Sequence, residues 1–290
     1  SQSSAASDVY KRQEQEKPLS YQLLLRTADE VAPALEALHR LQADAVDINL
    51  GCPAPKVRRS GGGSSLMDAP ELVRKIIATA RKNTALPLTA KIRLGESFSE
   101  ERLRSFCRML EGEGIDLLTV HARLRKEAFC RKPHWEWGAK VKEWIDIPVI
   151  ANGSVLSVAD AKKCLSVSNA DGLMIGRGAA CTPWLFADIA RELYGLDLPE
   201  GEICLPAVYA DFVLALQRFP PERRLGRLKE FTHYFAGNYF FGHTLACQVQ
   251  GAGTVKQAWE RACAFFQRND EEGRAAAEED LAEVAEMLTS

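Results

Sequence analysis

The chain has 290 residues, 46% of them hydrophobic and 26% charged, with a formal net charge of -2; it can bury a large core as one large domain, or a large domain plus a small one. That balance excludes a protein coated in positive charge but not a local basic face, since residues 123–132 and 218–229 each carry five basic side chains against one acid. Eight cysteines without a C-x-x-C pair make a metal site unexpected, and with no apolar targeting signal or run of membrane length apparent, a reducing, cytoplasmic setting with no membrane partner is expected.

Residues 1–18, SQSSAASDVYKRQEQEKP, are polar and aperiodic, and are expected to be a disordered or foreign leader. From Leu19 to about Tyr194 one pattern recurs: a short apolar run, a turn, then an amphipathic stretch. The strand candidates are 21–25, 45–50, 87–94, 117–122, 147–152 and 172–176, and helical stretches cover 28–41, 69–83, 99–114 and 157–168. Asp68 and Ser157 suit N-caps. Alternating strands and helices predict parallel βα units, with strands apolar on both faces near their middles. From residue 196 the pattern becomes helical to the end, closing on residues 270–286 with eight acids against Arg274. That stretch reads as a solvated acidic terminal helix.

Counting units selects the architecture. A closed (β/α)8 barrel takes about 250 residues, so six units should take roughly 190. The repeating region fits an α/β fold of the TIM (β/α)8-barrel type, incomplete at about six units. The expected organisation is a partial barrel over 19–195 and a small C-terminal α-helical domain over 196–290. A doubly wound sheet competes, but no G-x-G-x-x-G turn follows an early strand.

In such a barrel the site is built from the carboxyl ends of the strands. Those ends carry Asn49 and Cys52, Lys91 and Arg93, His121 and Arg123, Asn152 with Gly153 and Ser154, and Gly176 with Arg177. Charged groups inside apolar strands are costly without a partner or ligand. The NGSV (152–155) and GRGAACTPWLF (176–186) turns suit a phosphate grip, with Thr182-Pro183 opening a short helix. Cys52 sits in DINLGCPAPKVRRSGGGSSL (47–66), between turn-formers, followed by basic residues and three glycines. A packing cysteine would more naturally lie inside the strand.

NLGCPAPKVRRSGGGSSLMDAPELV, AKIRLG, LLTVHAR, IPVIANGSV and GLMIGRGAACTPWLF, in this order, closely resemble the tRNA-dihydrouridine synthases over roughly residues 20–190. The ERRLGRLKEFTHYF segment resembles that family's C-terminal helical domain. The resemblance implies an FMN-dependent barrel enzyme that reduces a uridine in tRNA, with NADPH as electron donor, and leans towards the bacterial C-type subfamily, which acts at position 16. By the family's motifs, Cys52 would be the general acid that protonates C5. A thiol of pKa about 8.5 is mostly protonated near neutrality. Gln22, Lys91, His121, Asn152, Gly153, Ser154, Gly176 and Arg177 would hold FMN, with Lys91 against the reduced flavin's N1–O2 edge. Asn49, Arg93 and Arg123 would lie towards the target uridine and its RNA, and Arg227, Lys229 and Tyr234 would read tRNA. The glycines after Cys52 would let a basic loop (Lys56, Arg58, Arg59) close on an extruded base.

Two departures stand out. Ala122 replaces the usual glycine after the histidine, and the family's first strand and second βα unit have no counterpart before Gln22. An N-terminally truncated chain is therefore expected, and the complete protein is expected to be a monomer. Two other functions stay open: a flavin-dependent dehydrogenase of a free pyrimidine, and a non-catalytic RNA-binding remnant.

Overall fold

The computed structural model describes residues 17–199, 201–269 and 284. Of the expected leader only Lys17 and Pro18 are described, and of the acidic terminal helix only Val284; the rest of both lies outside the described residues. The chain divides into two compact units after Gly176.

The first unit alternates β1 (Ser20–Leu23), α1 (Val31–Arg40), β2 (Ala45–Asn49), α2 (Pro55–Arg59), α3 (Pro70–Asn83), β3 (Leu88–Arg93), α4 (Glu100–Gly112), β4 (Leu117–His121), α5 (Glu136–Trp144), β5 (Val149–Asn152), α6 (Val158–Ser168) and β6 (Gly172–Met174). The strands form one sheet in the order β1-β2-β3-β4-β5-β6, every neighbouring pair parallel. Parallel neighbours joined through helices are the repeating unit of a TIM-type barrel. Among the described residues the sheet is open, with β1 and β6 as its outer strands, as the unit count predicts.

Register separates the two faces. On one, Val46 pairs with Leu88, Ile48 with Ala90, then Leu118 and Val149, and Ile92 with Val120 and Ala151. All of these are buried. All but Ala151 share one core with helix stripes at i, i+3/i+4 spacing: Val31, Leu35 and Leu38 of α1, Val73, Ile76, Ile77 and Ala80 of α3, and Leu103, Phe106, Cys107 and Leu110 of α4. The other face is not apolar, contrary to the expectation of two apolar faces. Side chains alternate along a strand, so Gln22, Asp47 and Thr89 form one lateral row. Asn49, Lys91 and Thr119 form the next, and Arg93, His121 and Asn152 the last. The helix stripes pack on the apolar rows, and the polar rows are left to the opposite face.

Local signals divide in the same way. Ser157 caps α6 as its sequence predicts: its side chain accepts from the N–H of Asp160, whose carboxylate accepts from the N–H of Leu156. Asp68 does not cap α3. Ala69 takes that position without a side-chain bond, and the Asp68 carboxylate pairs with Arg125 at 2.7 Å. The ion pair with a buried guanidinium outcompetes the cap. Helix α5, not foreseen from the sequence, fills the β4–β5 connection.

The second unit holds α7 (Arg177–Cys181), α8 (Leu185–Tyr194), α9 (Leu205–Ala215), α10 (Pro221–Phe235), α11 (Gly242–Gln250) and α12 (Val255–Asn269). Thr182-Pro183 starts no helix: α7 begins at Arg177 and α8 at Leu185, while the Thr182 hydroxyl donates back to the Gly178 carbonyl at 3.1 Å. The core of this unit is aromatic. Tyr209 packs against Phe231, Phe235, Trp259 and Phe266, and its hydroxyl lies 2.7 Å from that of Thr232. Thr232 in turn donates to the Leu228 carbonyl, so Tyr209 is the donor of the pair.

Candidate active site

Cys52 lies three residues beyond β2 and is held from both sides. Its N–H donates to Asn49 Oδ1 at 2.9 Å, and its carbonyl accepts from the Ser64 N–H at 2.9 Å. The residues after it are not the slack loop expected from three glycines. Residues 55–59 form α2 and 63–68 a 3-10 turn, with Gly62 and Gly63 buried. Gly63 has φ +60°, and a Cβ there would lie 2.7 Å from the Cys52 carbonyl oxygen. Glycine here permits contact, not motion. Arg125 locks the same segment: its guanidinium donates to the Ser64 carbonyl at 2.6 Å and pairs with Asp68 and Glu96.

Lys91 stands beside Asn49 in the sheet register. It is half-buried, and among the described residues its ammonium has no hydrogen-bond acceptor. Burial first, then the neighbouring Arg93 charge, pulls its pKa down to about 8, while Asp47 and Cys52 act in the opposite direction. Cys52 and Arg93 are coupled in the same way, so a thiol and two cations share one electrostatic neighbourhood. Two other cysteines are set apart by environment. Burial pushes the Cys107 thiol far up and that of Cys164 up to about 12, which leaves neither suited to proton chemistry near neutrality.

The row Arg93, His121, Asn152 crosses three strand ends. Arg93 and Arg123 are buried, with 2% and 0% exposure, and serve the loop after β4. Arg93 donates to the Leu124 and Glu127 carbonyls and lies over the Phe129 ring. Arg123 donates to the Phe129 and Arg131 carbonyls and to Ser154 Oγ at 2.7 Å. Its Nη1 is 3.0 Å from His121 Nε2. A guanidinium only donates, so His121 accepts there and carries its proton on Nδ1. Asn152 donates to the Met174 carbonyl at 2.7 Å. Gly153 has φ +126°, and a Cβ there would lie 3.1 Å from the His121 ring, so a side chain would press on the imidazole. Gly176 follows β6, and Arg177 opens α7 in the second unit.

In that second unit α10 brings Arg227 and Tyr234 together along a groove of about 400 Å³, with Phe212, Phe219, Phe231 and Glu230. Lys229 is not part of that lining. Arg227 pairs with Glu230 at 3.2 Å and stacks over Phe219.

Sequence reasoning missed Asp47, Thr89 and Arg125. The signal for Asp47 was present: Asp47 and Asn49 are two apart in DINLG, so both fall on one face of a strand. No spacing in the sequence pairs Arg125 with the Cys52 segment.

No helix among the described residues is long and apolar enough to cross a membrane, and no cluster of metal-ligating side chains occurs among them. The dihydrouridine synthase family model matches residues 2–210. A tRNA-dihydrouridine(16) synthase of Neisseria meningitidis serogroup A is 43% identical over 179 residues, 61% of this chain and 52% of that protein. A probable tRNA-dihydrouridine synthase 1 of Synechocystis sp. is 39% identical over 60% of this chain and 49% of its own length. A tRNA-dihydrouridine(16) synthase of Pseudomonas syringae pv. tomato is 35% identical over 70% of this chain and 62% of its own. The chain thus spans about half to just under two thirds of the length of these relatives. A mandelate racemase/muconate lactonizing family protein from Azoarcus sp. EbN1 superposes with a TM-score of 0.46 at 17% identity, over 69% of this chain and 47% of that one, too distant to bear on chemistry. With a match across more than half its residues, the chain belongs to the dihydrouridine synthase family.

Proposed function

We propose that the chain reduces a uridine of tRNA to 5,6-dihydrouridine, with FMN as resident cofactor, NADPH as electron donor and Cys52 as the proton donor at C5. The observation that carries this reading is the grouping of Cys52 with Lys91 and Arg93 beside the polar strand-end row. A half-buried ammonium without an acceptor calls for an anionic ligand, and a reduced flavin or its phosphate has that character. Gln22, Lys91, His121, Asn152, Gly153, Ser154 and Gly176 would hold the cofactor. When bound, FMN supplies the hydride for C6.

The chain's own residues do the rest. Cys52 donates its thiol proton, and Lys91 and Arg93 are the cations electrostatically coupled to it. His121, held as the Nδ1–H tautomer by Arg123, lies in the row of strand ends. Arg93 and Arg123 act through the β4–α5 loop they brace, not by direct contact with RNA. Lys56, Arg58 and Arg59 on α2, and Arg227, Lys229 and Tyr234 on α10, are the groups suited to tRNA.

The test is incubation of the full chain with FMN, NADPH and unmodified tRNA, scored as the gain of two hydrogens at a uridine. Cys52→Ala should leave flavin reduction by NADPH intact and slow product formation by at least the ~100-fold typical of a lost general acid. Undiminished product would remove Cys52 from the mechanism. Consumption of free uracil with tRNA untouched would instead establish the free-pyrimidine dehydrogenase reading.

A further inference from the structure

Four side chains form one directed run of hydrogen bonds that ends on the backbone of Cys52. Thr89 Oγ1 donates to Asp47 Oδ1 at 2.6 Å, and Gln22 Nε2 donates to Asp47 Oδ2 at 2.6 Å. Asn49 Nδ2 donates to Gln22 Oε1 at 2.7 Å. Asn49 Oδ1 then accepts from the N–H groups of Gly51 and Cys52, at 3.2 and 2.9 Å. The two ends fix every amide between them. A carboxylate only accepts, so the Gln22 atom facing Asp47 is nitrogen and its oxygen faces Asn49. A backbone N–H only donates, so the Asn49 atom facing Cys52 is oxygen and its nitrogen faces Gln22. Both constraints give the same assignment.

Asp47 is the buried anchor of the run, 6% exposed in the middle of β2, whereas Gln22 lies exposed on the outer strand β1. A buried carboxylate is costly unless its oxygens are satisfied. Here Thr89 and Gln22 satisfy one oxygen each, and the orientation imposed on Gln22 passes through Asn49 to Cys52.

We propose that Asp47, with Thr89, is a positioning residue that acts through Gln22 and Asn49 to set the Cys52 backbone, and hence the direction in which its thiol is presented. The chemical consequence rests on Cys52 being the proton donor; the geometry does not.

Reversing the polarity of the run tests it. Asn49→Asp keeps the acceptor for the Cys52 N–H but presents a second acceptor to Gln22. Gln22 must then turn its amide, which sets its oxygen against the Asp47 carboxylate, and the run breaks. Adding Asp47→Asn repairs it: the new amide donates to the turned Gln22, its oxygen still accepts from Thr89, and every link is again a donor facing an acceptor. The readouts on the full chain are peptide-resolved hydrogen exchange at the Cys52 amide and the rate of Cys52 alkylation by iodoacetamide. In Asn49→Asp the exchange should rise about fivefold, the net worth of one hydrogen bond, and the double variant should return to within about twofold of the parent. Parental exchange in Asn49→Asp, or a double variant as perturbed as the single one, would overturn the proposal. If circular dichroism shows Asn49→Asp unfolded, Thr89→Val replaces it, removing only the outermost donor. A smaller rise at Cys52 is then expected, and none would overturn the proposal. Neither readout needs turnover. A fully active Cys52→Ala enzyme would sink the functional reading and leave this geometry standing.

Discussion

Lys91 shows how one residue ties stability to chemistry. Its pKa in the fold, about 8, lies below its ordinary value of 10.5 because burial and Arg93 disfavour the charge. Below about pH 8 the ammonium is charged in both folded and unfolded chains, and only the folded one carries the penalty. Between about 8 and 10.5 the unfolded chain binds the extra proton, so this residue's contribution makes stability rise with pH. Lys91→Met should therefore raise the melting temperature near neutral pH, and the gain should shrink across that window. The same charge should attract an anionic ligand. FMN affinity is expected to fall as pH rises through about 8 in the parent and to show no such limb in Lys91→Met. A parental affinity that is flat across this range would take Lys91 out of the cofactor site. The pattern KIR marks the lysine in the sequence, but only the structure shows it without an acceptor and coupled to Cys52.

At the scale of elements, α10 separates residues that the sequence groups together. RLGRLK reads as a basic run, yet a helix turns about 100° per residue. Arg227 and Tyr234, seven apart, line one groove, and Lys229 lies about 200° round from Arg227. One face of a helix cannot present both basic groups to the same stretch of RNA backbone. Single substitution of Arg227 by Ala should thus lower the salt slope of tRNA binding by about one, and the double variant with Lys229→Ala should not reach the roughly two expected of two phosphate contacts. A drop of two would mean that RNA wraps the helix. The exposed Arg227–Glu230 pair is itself worth little to stability, so a change in the slope would report binding. The segment after Cys52 makes a parallel case: three glycines read as a hinge, and the fold uses the second and third for close packing under α2.

At the scale of the molecule, the open sheet is the governing fact. Among the described residues β1 pairs only with β2, and its outer edge offers backbone donors and acceptors to another chain. Leu24, just beyond β1, is 48% exposed and adds an apolar contact at that edge. The chain is expected to self-associate as concentration rises, and Leu24→Lys should weaken that association by placing charge at the edge. Sedimentation velocity of the two proteins is the measurement. A parent that stays monomeric at all concentrations would show that the β1 edge does not drive association.

Six strands, their order and the strand-end residues Asn49, Cys52, Lys91, His121 and Asn152 are legible in the chain itself. Alternating apolar runs and amphipathic stretches admit few parallel arrangements, and polar residues at the ends of apolar strands are conspicuous. Ser157 is legible as a cap for the same reason, because its partners lie within four residues. What the sequence could not supply depends on neighbours far along the chain. Asp68 leaves its helix for Arg125, 57 positions on; Arg125 and Arg123 turn inward from a run that looks like a basic face. Asp47 acquires its role only when β1, β2 and β3 lie side by side, bringing Gln22 and Thr89 to its two oxygens. Local propensity fixes what each segment is. Which buried charge meets which partner is decided by the packing of the sheet, because only there does an unsatisfied polar group cost enough to choose.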